Sequence, residues 1–181
     1  VANLIIGSPD AIIKTTPFKG AGTTVSQLRE FIQESYNDPQ VRQLTEKVCE
    51  GIQAKDYLSE YLAILRFVER NTRYMRDPRT VELVKNPSEI VKEILNGEIP
   101  QLDCDDMSGL ICSMCASAGA DTRLVTVAFK EIYYQGVPQF SHVFASALEP
   151  KSNRWIVLDP VAGNKTDEML RRVKIAKVWN V

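Results

Sequence analysis

Leu102 to Ala118 reads LDCDDMSGLICSMCASA, a cysteine set among aspartates at the front edge of a long apolar segment. Asp103 suits an N-cap, and Asp105 and Asp106 fall in the first turn, where carboxylates complement the positive end of the helix dipole. Behind them Met107, Leu110, Ile111, Cys112, Met114, Cys115 and Ala118 leave no polar face, the pattern of a helix buried on nearly all sides. Cys104 is therefore expected in the first turn of a central buried helix. There the dipole favours thiolate while the neighbouring carboxylates oppose it. An imidazole is the group expected to tip that balance, and the 181-residue chain contains one histidine, His142.

Outward from this segment, the upstream half reads as helical. Thr24 opens a helix with Val25, Leu28, Phe31 and Ile32 at helical spacing, stopped by Asn37-Asp38-Pro39. Pro39 begins a second, carrying Val41, Leu44, Val48 and Ile52 on one stripe. Asp56 begins a third, with Tyr57, Tyr61, Ile64, Leu65 and Val68 inward. Residues 1–23, punctuated by Gly7, Pro9, Pro17, Gly20 and Gly22, read as an extended arm. Tyr74 to Pro78 reads as a turn, and Asn86-Pro87-Ser88 caps a short helix that ends at Gly97.

Downstream the hydrophobic period switches from that of a helix to that of a strand. Residues 123–129, 140–148 and 154–158 are β-rich, 130–139 form a longer connection, and 173–179 offer another strand. Helices followed by antiparallel strands give an α+β fold: N-terminal helices and a central buried helix carrying the cysteine, packed on an antiparallel sheet. The expected division is an N-terminal arm and helical extension over 1–55 and a cysteine-bearing core over 56–181.

A net charge of -1 and a pI of about 6.0 give no electrostatic case for nucleic acid or an anionic membrane. No apolar run approaches the roughly 18–20 residues of a membrane span. Four cysteines make no disulfide framework for a chain of this size, so a reducing compartment, the cytoplasm, is expected. The sequence begins at Val1 rather than methionine, which leaves room for a trimmed leader. Cys112-x-x-Cys115 falls mid-helix without further ligands nearby and reads as core. Asp103, Asp105 and Asp106 lack the glycine and distal glutamate of a calcium loop, so capping is their expected role and no metal is expected.

The strands carry a second argument. The runs ending at Leu148 and beginning at Arg154 flank Glu149-Pro150-Lys151-Ser152-Asn153, a hairpin connection. If Leu148 pairs with Asn153, His142 falls opposite Asp159 with both side chains on one face, about 5 Å apart at Cβ. Asp159 would then accept Nδ1–H and leave Nε2 facing a thiol. Nucleophile, base and orienter together are the parts of covalent acyl chemistry. The Cys104 backbone N–H and the amide of Gln101 are the candidate oxyanion donors.

Asp103-Cys104-Asp105-Asp106, then Ala118 to Val125, then Ser141-His142-Val143-Phe144-Ala145, then Trp155-Ile156-Val157-Leu158-Asp159-Pro160 together resemble the core of the transglutaminase-like superfamily of cysteine enzymes. Tyr74, Pro87 and Gly97 also fall where similar proteins carry such residues. The resemblance covers roughly residues 70–160 and extends to small bacterial and prophage-encoded members. It implies a papain-like core with Cys104 as nucleophile, His142 as base and Asp159 as orienter, needing no cofactor. The family's glycine before Asp-Cys is Leu102 here, a bulk expected to narrow the approach to the thiol.

Two function classes follow. One is a protease- or peptidase-like hydrolase acting on a protein or peptide substrate through a Cys104 thioester, with transglutaminase or deamidase acyl transfer as its variant. The other is a catalytically silent structural or interaction module. Tyr133 and Tyr134 are candidates for a substrate cleft or for exposed aromatic packing, and the N-terminal helices offer a face for a protein partner.

Overall fold

The computed structural model describes residues 21–76 and 84–181, and the expected arm over 1–20 and the turn beyond Arg76 lie outside them. Helix α1 (Ala21–Ser35) begins earlier than Thr24. Helices α2 (Pro39–Val48) and α3 (Tyr57–Asn71) start at Pro39 and just after Asp56, as expected, and each is capped: the Asp38 carboxylate accepts from Gln40 N–H and the Asp56 carboxylate from Ser59 N–H. A two-residue strand β1 (Arg73–Tyr74) follows, in place of the start of the expected turn. Helix α4 (Pro87–Leu95) is capped by Asn86, and β2 (Gln101–Leu102) lies parallel to β1. The cysteine helix is α5 (Cys104–Ser117).

The remaining chain is β3 (Thr122–Ala128), β4 (Tyr133–Tyr134), β5 (Val137–Pro138), β6 (His142–Glu149), β7 (Arg154–Leu158), α6 (Thr166–Arg171) and β8 (Ile175–Asn180). Four of these strands form an antiparallel sheet in the order β7-β6-β3-β8, so the fold is α+β. The expected 130–139 connection is itself a small hairpin. Gln135 and Gly136 turn it with φ of 49° and 78°, the left-handed pair that matches the strand twist. Helix α6 and the 3-10 turn before it, Gly163–Lys165, escaped the sequence reading; neither has a side-chain N-cap to announce it.

The sheet separates two apolar clusters. On one face Leu124, Val143, Ala145, Ala147, Ile156 and Leu158 join Leu28, Ile32, Leu44, Ile64, Leu110, Ile111 and Met114 around α5. On the other, Val125, Val127, Phe144, Val157 and Ala176 pack with Met169 and Leu170 of α6. Helices α1 and α2 thus share the core of α5. At Gly109 the approach of α1 is so close that an added Cβ would lie 2.6 Å from Leu28 Cδ1. Cys112 and Cys115 are buried free thiols within this core. Among the described residues no helix is long and apolar enough to cross a membrane.

Candidate active site

The β6–β7 hairpin differs from expectation by one residue on each side. Glu149 pairs with Arg154 and Leu148 with Trp155, so the loop is Pro150 to Asn153. The cause is local: the Glu149 carboxylate accepts N–H bonds from Lys151 and Ser152 at 3.0 and 2.7 Å, and Asn153 takes the left-handed φ of 53°. Shifting both strands by one displaces the register by two, which preserves the faces. His142 and Asp159 therefore remain on the same side, related diagonally instead of directly. Pairing of β6 with β7 stops at Ala145 and Leu158, and Asp159 lies just past the end of its strand.

The imidazole meets the aspartate there. His142 Nε2 lies 2.7 Å from Asp159 Oδ2, with both side chains largely buried. Asp159 Oδ1 accepts from the N–H groups of Val161 and Ala162 at 2.9 and 3.0 Å. A carboxylate that only accepts requires Nε2 to donate, which leaves Nδ1 as the basic nitrogen. This reverses the ring atoms expected from sequence, because strand pairing gives the side on which a side chain stands and not its χ angles. Phe129 stacks on the imidazole with centroids 6.4 Å apart, and Phe144 lies tilted at 6.3 Å.

Where β7 leaves β6, the first turn of α5 takes its place. The Val143 N–H is directed at the Cys104 sulfur, while the Val143 carbonyl accepts from Ser108 Oγ at 3.2 Å. Ser108 Oγ also bonds the Cys104 carbonyl at 2.5 Å. Cys104 and His142 consequently line one cleft with Thr24, Val25, Asp105 and Phe140. No hydrogen bond joins the thiol to the imidazole. Burial pushes the Cys104 thiol up to about 12, and the Asp103 and Asp105 carboxyl groups add to the rise against the Val143 and Cys104 N–H groups. The helix dipole thus loses to desolvation and neighbouring charge, and the resting thiol is neutral.

Asp103 caps the helix as expected, accepting from the N–H groups of Asp105 and Asp106. Asp106 Oδ1 accepts from Lys85 N–H at 2.7 Å and ties α5 to the segment before α4. Asp105 is 8% exposed, and burial, reinforced by its hydrogen bond to Asp103, holds its carboxyl far above the usual range. Both effects favour its protonated, neutral form. Asp103, Cys104 and Asp105 bring potential ligand atoms within 4.8 Å of one another. The capping bonds engage Asp103 Oδ1, whereas Asp105 Oδ1 is buried without a hydrogen-bond partner.

Gln101 is exposed on β2 and does not line the cleft. Leu102 is 1% exposed in the core and does not line the cleft. Tyr133 and Tyr134 are exposed on β4 and line neither cleft beside His142. Missed by the sequence reading are Ser108 and the Val143 amide, and the wall contributed by Thr24 and Val25. A serine four residues after the cysteine on an apolar helix was the available signal for the first; nothing local marked the others.

No family model matches the chain, and no curated protein matches it. Two solved structures do. One, from Parabacteroides distasonis, is described as a "putative protease" and aligns over 96% of this chain and 34% of its own, with a TM-score of 0.60 and 10% identity. The other, from Cytophaga hutchinsonii, is described as a "putative cysteine protease" and aligns over 94% of this chain and 56% of its own, with a TM-score of 0.44 and 15% identity. The first likeness is one of fold. The chain spans about a third of that neighbour's length and about half of the other's.

Proposed function

We propose that the chain is a cysteine-dependent amide hydrolase with a transglutaminase-like core, in which Cys104 is the nucleophile, His142 the base and Asp159 its orienter. The observation that carries this reading is the His142 Nε2 bond to Asp159 at 2.7 Å, beside a cysteine at the start of a buried helix in the same cleft. With a neutral thiol, proton transfer and attack occur together. Nδ1 takes the thiol proton as sulfur bonds to the amide carbon and the carbonyl electron pair moves to oxygen. The Cys104 N–H at the helix start and the Val143 N–H are donors for that oxygen. As the adduct collapses, the carbon–nitrogen bond breaks and the amine leaves with the imidazolium proton, leaving a thioester. Water, deprotonated by the same imidazole, displaces the sulfur, which regains that proton.

A second reading, a silent module that keeps the fold, is favoured by one observation: the raised thiol lacks a bond to the imidazole. Alkylation of Cys104 by iodoacetamide against pH, mapped by mass spectrometry in wild type and His142→Ala, separates the two. The hydrolase reading expects Cys104 to be labelled near neutral pH with a rate that falls at least tenfold in the variant. Labelling that climbs only at strongly alkaline pH and ignores the substitution would favour the silent module.

A further inference from the structure

His142 stands between two clefts that differ in charge. The cleft holding Cys104 is lined by the Asp103 carboxylate and by Asp105, whose neutral form burial favours, and by no lysine or arginine. A second cleft, of about 280 Å³, shares Ser141 and His142 with it and is lined by Arg76, Lys165 and Arg172 against the single acid Glu168. Among the described residues none of these three cations is in an ion pair. The chain as a whole has 22 basic and 23 acidic residues, so the excess is local.

The fold ties these cations to the imidazole. Asp159 is followed directly by the turn that carries Lys165, and α6 then delivers Arg172 at its end. The Arg172 guanidinium lies 5.6 Å from the Phe129 ring centroid, and that same ring stacks on His142. One Arg–Phe–His stack therefore runs from the basic cleft to the imidazole.

From this polarity we propose that the substrate carries carboxylate groups on the leaving-group side of the scissile amide, bound by Arg76, Lys165 and Arg172. This rests on the hydrolase reading for its direction. The imidazole returns a proton to the departing nitrogen, so whatever is attached to that nitrogen lies on the His142 side of the sulfur, in the basic cleft. The acyl part lies toward Asp103, where negative charge is repelled. A peptide extending past the cleavage point meets this requirement with acidic side chains or with its terminal carboxylate.

The test uses ¹⁵N-labelled full chain carrying Cys104→Ala, titrated with four otherwise identical hexapeptides. These have either Glu or Gln at their last three internal positions and end in either a carboxylate or an amide. The Glu peptides are expected to shift the amide resonances of residues 161–172 and Phe129, and to bind about tenfold more tightly than the Gln amide, weakening with salt. The preference is expected to vanish in a Lys165→Gln, Arg172→Gln double variant, both positions being exposed. If only the terminal carboxylate matters, the source is a chain end; if only the internal residues matter, it is acidic side chains. Equal binding of all four peptides, or binding of none, overturns the proposal. The same peptides given to wild type separate the two claims. Charge-selective binding without cleavage sinks the hydrolase and leaves the anion cleft, whereas cleavage indifferent to charge sinks the anion cleft and leaves the hydrolase.

Discussion

Replacing Asp105 by asparagine should alter how stability depends on pH, in a direction fixed by the surroundings of that carboxyl. In the folded chain burial and the neighbouring Asp103 raise it to about 9, while an unfolded aspartate titrates near 3.9. Between those values the folded state holds a proton that the unfolded state has released, so stability falls as pH rises across that window. The limiting slope for one proton is about 1.4 kcal/mol per pH unit, so up to about 4 kcal/mol separates pH 5 from pH 8 at this site. Asparagine does not titrate, and its amide can donate to Asp103 as the acid does. Urea unfolding of both proteins at pH 5, 6.5 and 8 isolates the contribution, because other titrating groups cancel in the difference. The variant should match wild type within about 1 kcal/mol at pH 5 and gain on it steadily toward pH 8. A difference that stays flat, or that shrinks as pH rises, would refute the account of a neutral Asp105.

Asp159→Asn should leave the fold intact and lower acyl-transfer rate on a cleaved peptide by about 10²–10⁴-fold, since it no longer enforces the imidazole tautomer with Nδ1 free; unchanged turnover would remove Asp159 from the mechanism. Ser108→Ala should cost about 1 kcal/mol in chemical denaturation and slow iodoacetamide labelling of Cys104, because two carbonyls lose a donor and the α5 turn loosens from β6. Gly109→Ala should destabilise by about 1–3 kcal/mol through overpacking on Leu28, and by less in a Leu28→Ala background; a double-mutant cycle without coupling would contradict the close approach. Cys112 and Cys115 should resist alkylation in the folded chain and react on unfolding, since both are fully enclosed by the core.

Local signals carried most of the architecture. The start signals at Pro39, Asp56, Asn86 and Asp103 and the stripe around Cys104 are short-range features, and each produced the helix start or buried helix read from it. The alternation in β6 and β7 likewise held His142 and Asp159 to one face, even though the hairpin closed one residue later on each strand. Parity survives such a shift; identity of the facing pair does not.

What the sequence could not carry depends on groups brought together from far along the chain. The state of the Cys104 thiol is a sum over burial, two carboxyl groups and the Val143 amide, and only assembly fixes which term wins. The imidazole nitrogen that meets Asp159 is a matter of side-chain torsions at the end of two strands. The entry of Thr24 and Val25 into the cleft, and of Arg76, Lys165 and Arg172 around His142, follows from helices and turns whose own periodicity says nothing about their neighbours. By itself, then, the sequence determined the main helices, the long strands and their faces, because those rest on short-range capping and alternation. The tertiary structure alone decided protonation, ring orientation and the charge of each cleft, because Coulomb and desolvation energies depend on distances in space and not on separation in sequence.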